Sequence, residues 1–132
     1  MGARIAAVVV MGLVAAAPAE AVAQQRQTFL FGAIAYSTTT RAIGIASDNA
    51  TQEEAESVAL QNCRSSAPEA SDCKNVMWMR NACAAIAIGK DGGWGTDWAT
   101  DRATAERKAL AVCAKYSSTC EVVRRVCTMP GR

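Results

Sequence analysis

The stretch Cys83–Trp98, CAAIAIGKDGGWGTDW, decides the fold because it predicts two strands joined by a tight turn. Isoleucine alternates with small residues in the first half, which favours a strand. The Asp-Gly pair at Asp91 favours a hairpin turn, since these residues tolerate positive φ. A weaker copy, FGAIAYSTTTRAIGIA, occupies Phe31–Ala46. The chain therefore carries the same hairpin twice, and the second copy adds Trp94 and Trp98.

The repetition continues beyond the hairpins. Each is followed by a segment with a helical pattern, TQEEAESVALQNC at Thr51–Cys63 and DRATAERKALAVC at Asp101–Cys113. Threonine and aspartate at the start of these segments are good N-cap residues. Alanines spaced four residues apart give each helix a narrow apolar face of small side chains, which can pack closely on a sheet. The runs KNVMWM and EVVRRV then predict one more strand in each half.

Two ββαβ repeats therefore predict an α+β domain. We expect about six strands in one mainly antiparallel sheet, with both helices packed on one face. The predicted organisation is a signal peptide at 1–23, a short N-terminal extension at 24–30, a first repeat at 31–83 and a second repeat at 84–128. A domain of this size buries a modest core, and an alanine-rich core buries little area per residue, so cross-links would add useful stability.

The cysteines repeat their order in the two halves: one ends the helix, one opens the next strand and one closes it. They are Cys63, Cys73 and Cys83, then Cys113, Cys120 and Cys127. An even count in a small exported domain predicts a disulfide framework. The spacing favours short helix-to-strand bridges, Cys63–Cys73 and Cys113–Cys120. Cys83–Cys127 would then join equivalent positions of the two repeats and tie them together, although other connectivities stay open.

The N-terminus predicts a cleavable signal peptide. An arginine precedes the apolar run Ile5–Ala17, and Ala21–Ala23 forms an A-x-A pattern, so we expect cleavage between Ala23 and Gln24. A membrane anchor is the alternative, but a span needs about 20 apolar residues and this run is shorter. A weaker cleavage pattern lies at 17–19. The expected location is secreted or periplasmic, with no membrane span after cleavage.

Composition excludes several kinds of site. The chain has no histidine, so catalysis by Ser-His-Asp or Cys-His arrangements and histidine metal sites are excluded. The chain contains no C-x-x-C pair, which is the spacing that would indicate zinc binding by cysteine. The net charge of +2 is too small to indicate a nucleic-acid partner. We therefore expect no cofactor, no metal site and no nucleic-acid binding.

A family resemblance rests on several motifs taken together: FGAIAYS, AESVALQNC, CKNVMWMRNACAAIAIG, GGWGTDWATDRATAERKALAVC and CEVVRRVC. Over about Phe31–Thr128 the chain resembles the bacterial secreted family catalogued as domain of unknown function 4189. It departs from that pattern at Phe31, where tryptophan is expected, and Ile43 and Ile45 make its first hairpin more aliphatic. The resemblance implies the fold, export and the cysteine framework. It implies no activity and no functional residues.

Three tryptophans are the candidate binding residues. Trp94 and Trp98 lie four residues apart and would share one face of a strand. They could form an aromatic platform for a sugar, a peptide or a partner loop, or they could cover the sheet as core. Trp78, between Met77 and Met79, has the same two interpretations.

Carboxylates offer an alternative. A hydrolase of the two-carboxylate type needs two acids that flank a cleft, and Asp97 with Asp48 or Asp101 is the pair to test. Turn and cap roles are the preferred explanation of these residues. We expect a non-enzymatic binding module without catalytic residues, such as an inhibitor of a hydrolase, whose partner is a protein or glycan outside the cytoplasm. The alternatives are a structural envelope or matrix component and a carboxylate hydrolase.

Overall fold

Six strands and two helices make up the part of the chain that the computed structural model describes, residues 28–129 together with Gly2, Gly12 and Leu13. They follow in the order β1 (Phe31–Tyr36), β2 (Ile43–Asn49), α1 (Gln52–Ser66), β3 (Lys74–Arg80), β4 (Ala82–Gly89), β5 (Trp94–Ala99), α2 (Arg102–Cys113) and β6 (Cys120–Thr128). Apart from those three residues, the predicted signal peptide, its cleavage site and residues 24–27 lie outside the described residues.

The strands form two antiparallel sheets with the same path, β2-β1-β3 and β5-β4-β6. The α+β class and the duplicated ββαβ unit are thereby confirmed. The six strands are divided between two sheets, which corrects the expectation of one sheet with both helices on one face. The change of sheet occurs at Asn81, where a positive φ of 48° turns the chain between β3 and β4.

The division into sheets follows from side-chain size. On β1 and β4, alanines alternate with larger side chains, Ile34 and Tyr36 on β1 and Ile86 and Ile88 on β4. Both faces of each sheet are therefore apolar and both need cover. The alanine faces pack against the helices through Ala33, Ala35, Ala55 and Ala59 in the first repeat and Ala85, Ala87 and Ala109 in the second. The larger side chains form a core between the sheets: Ile34, Tyr36, Met79, Ile86 and Ile88. Each helix therefore covers the outer face of its own sheet.

The two helices begin at the residues that the sequence predicts. The Thr51 hydroxyl accepts a hydrogen bond of 3.1 Å from the Glu54 N–H, and the Asp101 carboxylate accepts one of 2.9 Å from the Thr104 N–H. Each cap satisfies an N–H group that the first helical turn leaves without a partner.

Three disulfides join the pairs that the spacing favours. Cys63–Cys73 and Cys113–Cys120 each connect the end of a helix to the segment that leads into or opens the next strand. The third bridge, Cys83–Cys127, connects β4 to its neighbour β6 within the second sheet. The expectation that this bridge ties the repeats together is wrong, because β4 begins at Ala82 and Cys83 already belongs to the second sheet. The repeat boundary predicted after Cys83 accordingly falls inside β4.

A carboxylate fixes the turn between β1 and β2. Asp72, beside the first disulfide, accepts hydrogen bonds from the hydroxyl of the fully buried Ser37, from the Thr38 hydroxyl at 3.2 Å, and from the Thr39 hydroxyl at 2.9 Å and N–H at 3.3 Å. These donors, Ser37 foremost, hold the pKa of Asp72 at about 2. The bonds attach the turn to the segment that enters β3.

The Asp72 contacts predict a loss of stability in acid. Because the folded state lowers this pKa from 3.8 to about 2, the carboxylate stabilises the fold above about pH 4, and this contribution disappears as the pH falls toward 2. Asp72→Asn should therefore lower the urea midpoint of unfolding at pH 6, with the difference from the wild type shrinking toward pH 2. Urea titrations of both proteins across this range measure the effect. A difference independent of pH would contradict it.

Candidate functional site

The most distinctive surface is a groove between β3 and β5, which are edge strands of different sheets. Its volume is about 630 Å³. We call it the edge groove, and its lining residues are Val76, Met77, Trp78, Met79 and Arg80 from β3 and Asp97 and Trp98 from β5. The two sheets therefore contribute one wall each.

Two half-exposed tryptophans face this groove. Trp78 is 46% exposed and Trp98 is 47% exposed. Trp78 lies opposite Ala33 on the helix-covered side of its sheet, with its ring centroid 6.3 Å from that of Phe31. Trp98 lies opposite Ala84 on the side that faces the other sheet. The groove thus presents indole rings from both sheets to solvent.

Trp94 fits the core interpretation of its two predicted roles. Its ring lies 5.2 Å from Tyr36, centroid to centroid, and packs on the core between the sheets. Trp94 and Trp98 lie on the same side of β5, but only Trp98 extends past the core. A second cavity of about 530 Å³ lies against Trp94, Val112 and Tyr116 at the other end of the strand.

The rim of the groove at Trp98 is held by a lysine and an aspartate. The Lys108 Nζ lies 3.5 Å from Asp97 Oδ1, donates to the Trp98 carbonyl at 2.8 Å, and lies 5.4 Å from the centroid of the indole. Asp97 Oδ1 also accepts from the Trp98 N–H at 2.8 Å. These contacts hold Trp98 in place before any partner binds. The negative charge of Asp97 is already paired with the positive charge of Lys108.

Arg80 supplies the positive charge at the β3 wall. Its guanidinium lies 4.4 Å from the centroid of the Phe29 ring, a cation–π arrangement. Between residues 28 and 129, no ion pair involves this side chain. The edge groove therefore combines two aromatic rings, a neutralised carboxylate and an exposed cation that is free to pair with an anion.

The candidate carboxylates have structural partners. Asp97 pairs with Lys108, and the Asp48 carboxylate accepts a hydrogen bond of 3.1 Å from the Thr128 hydroxyl on β6. Asp101 caps α2, and the Thr104 N–H lowers the pKa of this carboxyl, whereas a general acid needs a raised pKa. Only Asp97 lines the edge groove.

The edge groove has no aromatic equivalent at the matching place in the other repeat. When the two repeats are aligned by the strand pairing of their sheets, Trp78 on β3 corresponds to Arg125 on β6. In the same alignment, Trp98 on β5 corresponds to Ser47 on β2. Arg125 forms an ion pair of 3.2 Å with Glu106. The duplication therefore produced two similar edges, of which one carries the two tryptophans. Sequence reasoning grouped Trp94 with Trp98 and missed that Trp98 and Trp78 line the same groove, because these two lie in different repeats.

Residues 28–129 lack two further features. No group of three or more cysteine, aspartate or glutamate side chains there is arranged to hold a metal ion. Neither helix between residues 28 and 129 is both long enough and apolar enough to cross a membrane.

The fold defines a class, a small disulfide-bonded α+β domain built from two ββαβ repeats. A sequence model of the family described as Domain of unknown function (DUF4189) matches residues 31–127, and the chain belongs to this family. No curated protein sequence matches the chain. The NMR structure of Rv1813c from Mycobacterium tuberculosis is similar, with a TM-score of 0.54 and 22% sequence identity, over 96% of this chain and 94% of that one. That similarity shows a shared fold.

Proposed function

We propose that this chain is an exported, non-enzymatic binding module that recognises its partner through the edge groove. The observation that carries the proposal is the pair of half-exposed tryptophans, Trp78 and Trp98, on facing walls of one groove. Tryptophan offers a large apolar area and an N–H donor, and it is among the residues that contribute most to binding energy at interfaces.

The rigidity of the site supports this function. Trp98 is held by Lys108 and Asp97. Three disulfides stiffen the domain behind the groove, two between a helix and the segment that follows it and one within the second sheet. A preformed site loses little conformational entropy on binding, so more of the contact energy appears as affinity. A purely structural component would not require two large apolar rings at the surface, where they are exposed to water.

Export is part of the proposal. Disulfides persist in oxidising compartments, and the described region contains three of them and no free cysteine. The sequence predicts a cleavable signal peptide as well. We therefore place the partner, a protein or a glycan, in the periplasm or outside the cell. Inhibition of a hydrolase is one function that such a module could serve.

Affinity capture tests the proposal. Oxidised protein that begins at Gln24 serves as bait for the envelope and medium of the producing cell. We expect a captured partner that the double variant Trp78→Ala/Trp98→Ala loses, since two interface tryptophans together contribute about 4 kcal/mol or more.

A matched control keeps the result interpretable. Tyr116→Ala removes an aromatic ring that is 68% exposed and lies outside the edge groove, so this variant should capture the same partner as the wild type. Near-UV circular dichroism and thermal melting check that each variant folds. If the folded double variant retained the partner, or if no bait captured one, the edge groove would not be the binding site.

A further inference from the structure

The pattern of hydrogen bonds between β1 and β3 shows which backbone groups of β3 point away from β1, toward the free edge of the sheet. Asn81 donates its N–H to the Leu30 carbonyl at 2.9 Å, so these two residues form a hydrogen-bonded pair. Hydrogen-bonded and non-bonded pairs alternate along an antiparallel ladder, so every second pair of β1 and β3 from this point is bonded. Trp78 and Arg80 lie opposite Ala33 and Phe31, at the non-bonded positions of this ladder. Their N–H and C=O groups therefore point away from β1, toward the edge groove.

On the facing strand, β5, the backbone groups of Trp98 already have hydrogen-bond partners. The Trp98 N–H donates to Asp97 and the Trp98 carbonyl accepts from Lys108, both at 2.8 Å. Further along, the Thr96 hydroxyl donates to the Val76 carbonyl at 3.4 Å and joins the two edges. These contacts occupy one end of the edge groove. The N–H and C=O groups of Trp78 and Arg80 that point away from β1 lie past this end. Among the hydrogen bonds described for residues 28–129, none uses those groups.

We propose that the edge groove binds an extended peptide segment of a partner protein, which adds to β3 as a further strand. This inference rests on the proposed function and specifies the class of partner and the mode of recognition. Outward N–H and C=O groups on alternate residues, 78 and 80, match the two-residue repeat of an extended peptide. A glycan has no such repeat of donors and acceptors.

The neighbouring side chains specify which peptide fits. Residues directly opposite each other on paired strands interact, so an apolar peptide residue would lie opposite Trp78 and an acidic one opposite Arg80. The residue between them would point to the other side of the sheet, where Trp98 forms the facing wall. Charge complementarity favours the acidic residue, because Asp97 is already paired with Lys108 whereas Arg80 has no anionic partner in the described chain. For a peptide that pairs antiparallel to β3, as β1 does, the preferred core read from its N-terminus is therefore acidic–apolar–apolar.

A peptide library tests this specificity directly. Oxidised protein from Gln24 onward is presented with heptapeptides in which the three central positions are randomised between serine and threonine flanks. We expect enrichment of the acidic–apolar–apolar core. The labelled peptide Ser-Thr-Glu-Leu-Val-Thr-Ser is then titrated by fluorescence anisotropy. Its affinity should fall about tenfold or more with Arg80→Glu, and a peptide with lysine in place of glutamate should restore binding to that variant.

Backbone methylation distinguishes strand addition from side-chain contact alone. In a peptide that pairs with β3, alternate N–H groups donate to the strand and the others point to solvent. N-methylation should therefore abolish binding at alternate positions and leave it nearly unchanged at the positions between. Equal effects of methylation at all positions would overturn strand addition.

The remaining outcomes separate this inference from the proposed function. If no peptide were enriched while the Trp78→Ala/Trp98→Ala variant still lost a captured glycan, the peptide inference would fail and the binding module would stand. Sedimentation that showed a dimer, broken by Arg80→Glu, would assign the free edge to a second copy of this chain and would also overturn the peptide inference. Failure of both peptide enrichment and partner capture would reject the two proposals together.

Discussion

Gly44→Ala is expected to lower the free energy of unfolding by about 3 kcal/mol or more. A Cβ atom at this position would overlap the Ala59 carbonyl oxygen and the Cys63 backbone nitrogen of α1. These obstacles are backbone atoms of a helix that a disulfide holds at its end, so they cannot rotate away as a side chain would. A loss of this size is large against the total stability of about 5–15 kcal/mol that small domains have.

The duplication provides an internal replicate of this prediction. Gly95 occupies the same place in the second repeat, where a Cβ would overlap the Cys113 nitrogen and lie 2.8 Å from the Val112 carbonyl carbon. Gly95→Ala should therefore destabilise to a similar degree. Ser47→Ala, on β2 but exposed, is the control and should change stability by about 0.5 kcal/mol at most. Urea unfolding measures all three, and glycine variants as stable as the control would show that the helices do not lie this close to the strands.

Removing the disulfide between β4 and β6 is expected to have the largest effect of the three bridges. It closes a loop of 44 residues, compared with 7 for Cys113–Cys120. Chain entropy in the unfolded state then predicts a loss of about 4 kcal/mol for Cys83→Ala/Cys127→Ala and about 2.4 kcal/mol for Cys113→Ala/Cys120→Ala. The reason is that a longer loop loses more conformations when its ends are joined.

Denaturant unfolding of the two double variants without reductant measures this difference. Cys63→Ala/Cys73→Ala closes a loop of 10 residues and should fall between them, near about 2.7 kcal/mol. This ordering has a competing outcome, because Cys63 and Cys113 are completely buried and their truncation also removes packing. If the helix-to-strand variants proved less stable than Cys83→Ala/Cys127→Ala, packing rather than loop entropy would determine the contribution of these bridges.

Local sequence patterns predicted the secondary structure well. The caps at Thr51 and Asp101, the paired hairpins and the repeated order of cysteines are properties of short segments, and each has a local physical cause. The number of sheets does not have a local cause. Alanine alternating with isoleucine on β4 shows that both faces are apolar, but it does not show whether a helix or another sheet covers each face.

The candidate site was predictable only in part. Large aromatic residues in a small alanine-rich domain pointed to Trp78, Trp94 and Trp98 as a set. Their environments differ because Trp94 lies over Tyr36 in the core, whereas Trp98, four residues further along the strand, lies beyond the edge of that core. The other tryptophan that lines the groove is Trp78, which is 20 residues from Trp98 in the chain and belongs to the other sheet.

The sequence by itself determined the duplicated ββαβ unit, the helix starts and the family, because turns, caps, periodicity and cysteine order act over a few residues. The first helix runs three residues beyond its predicted end at Cys63, to Ser66. Tertiary structure alone decided that the repeats form two facing sheets, that Cys83–Cys127 lies within one of them, and that Trp78 and Trp98 line one groove with an open strand edge. These features depend on how the two sheets stack. Stacking is set by the fit of Ile34, Tyr36, Ile86 and Ile88 between them, a long-range contact that no local pattern specifies.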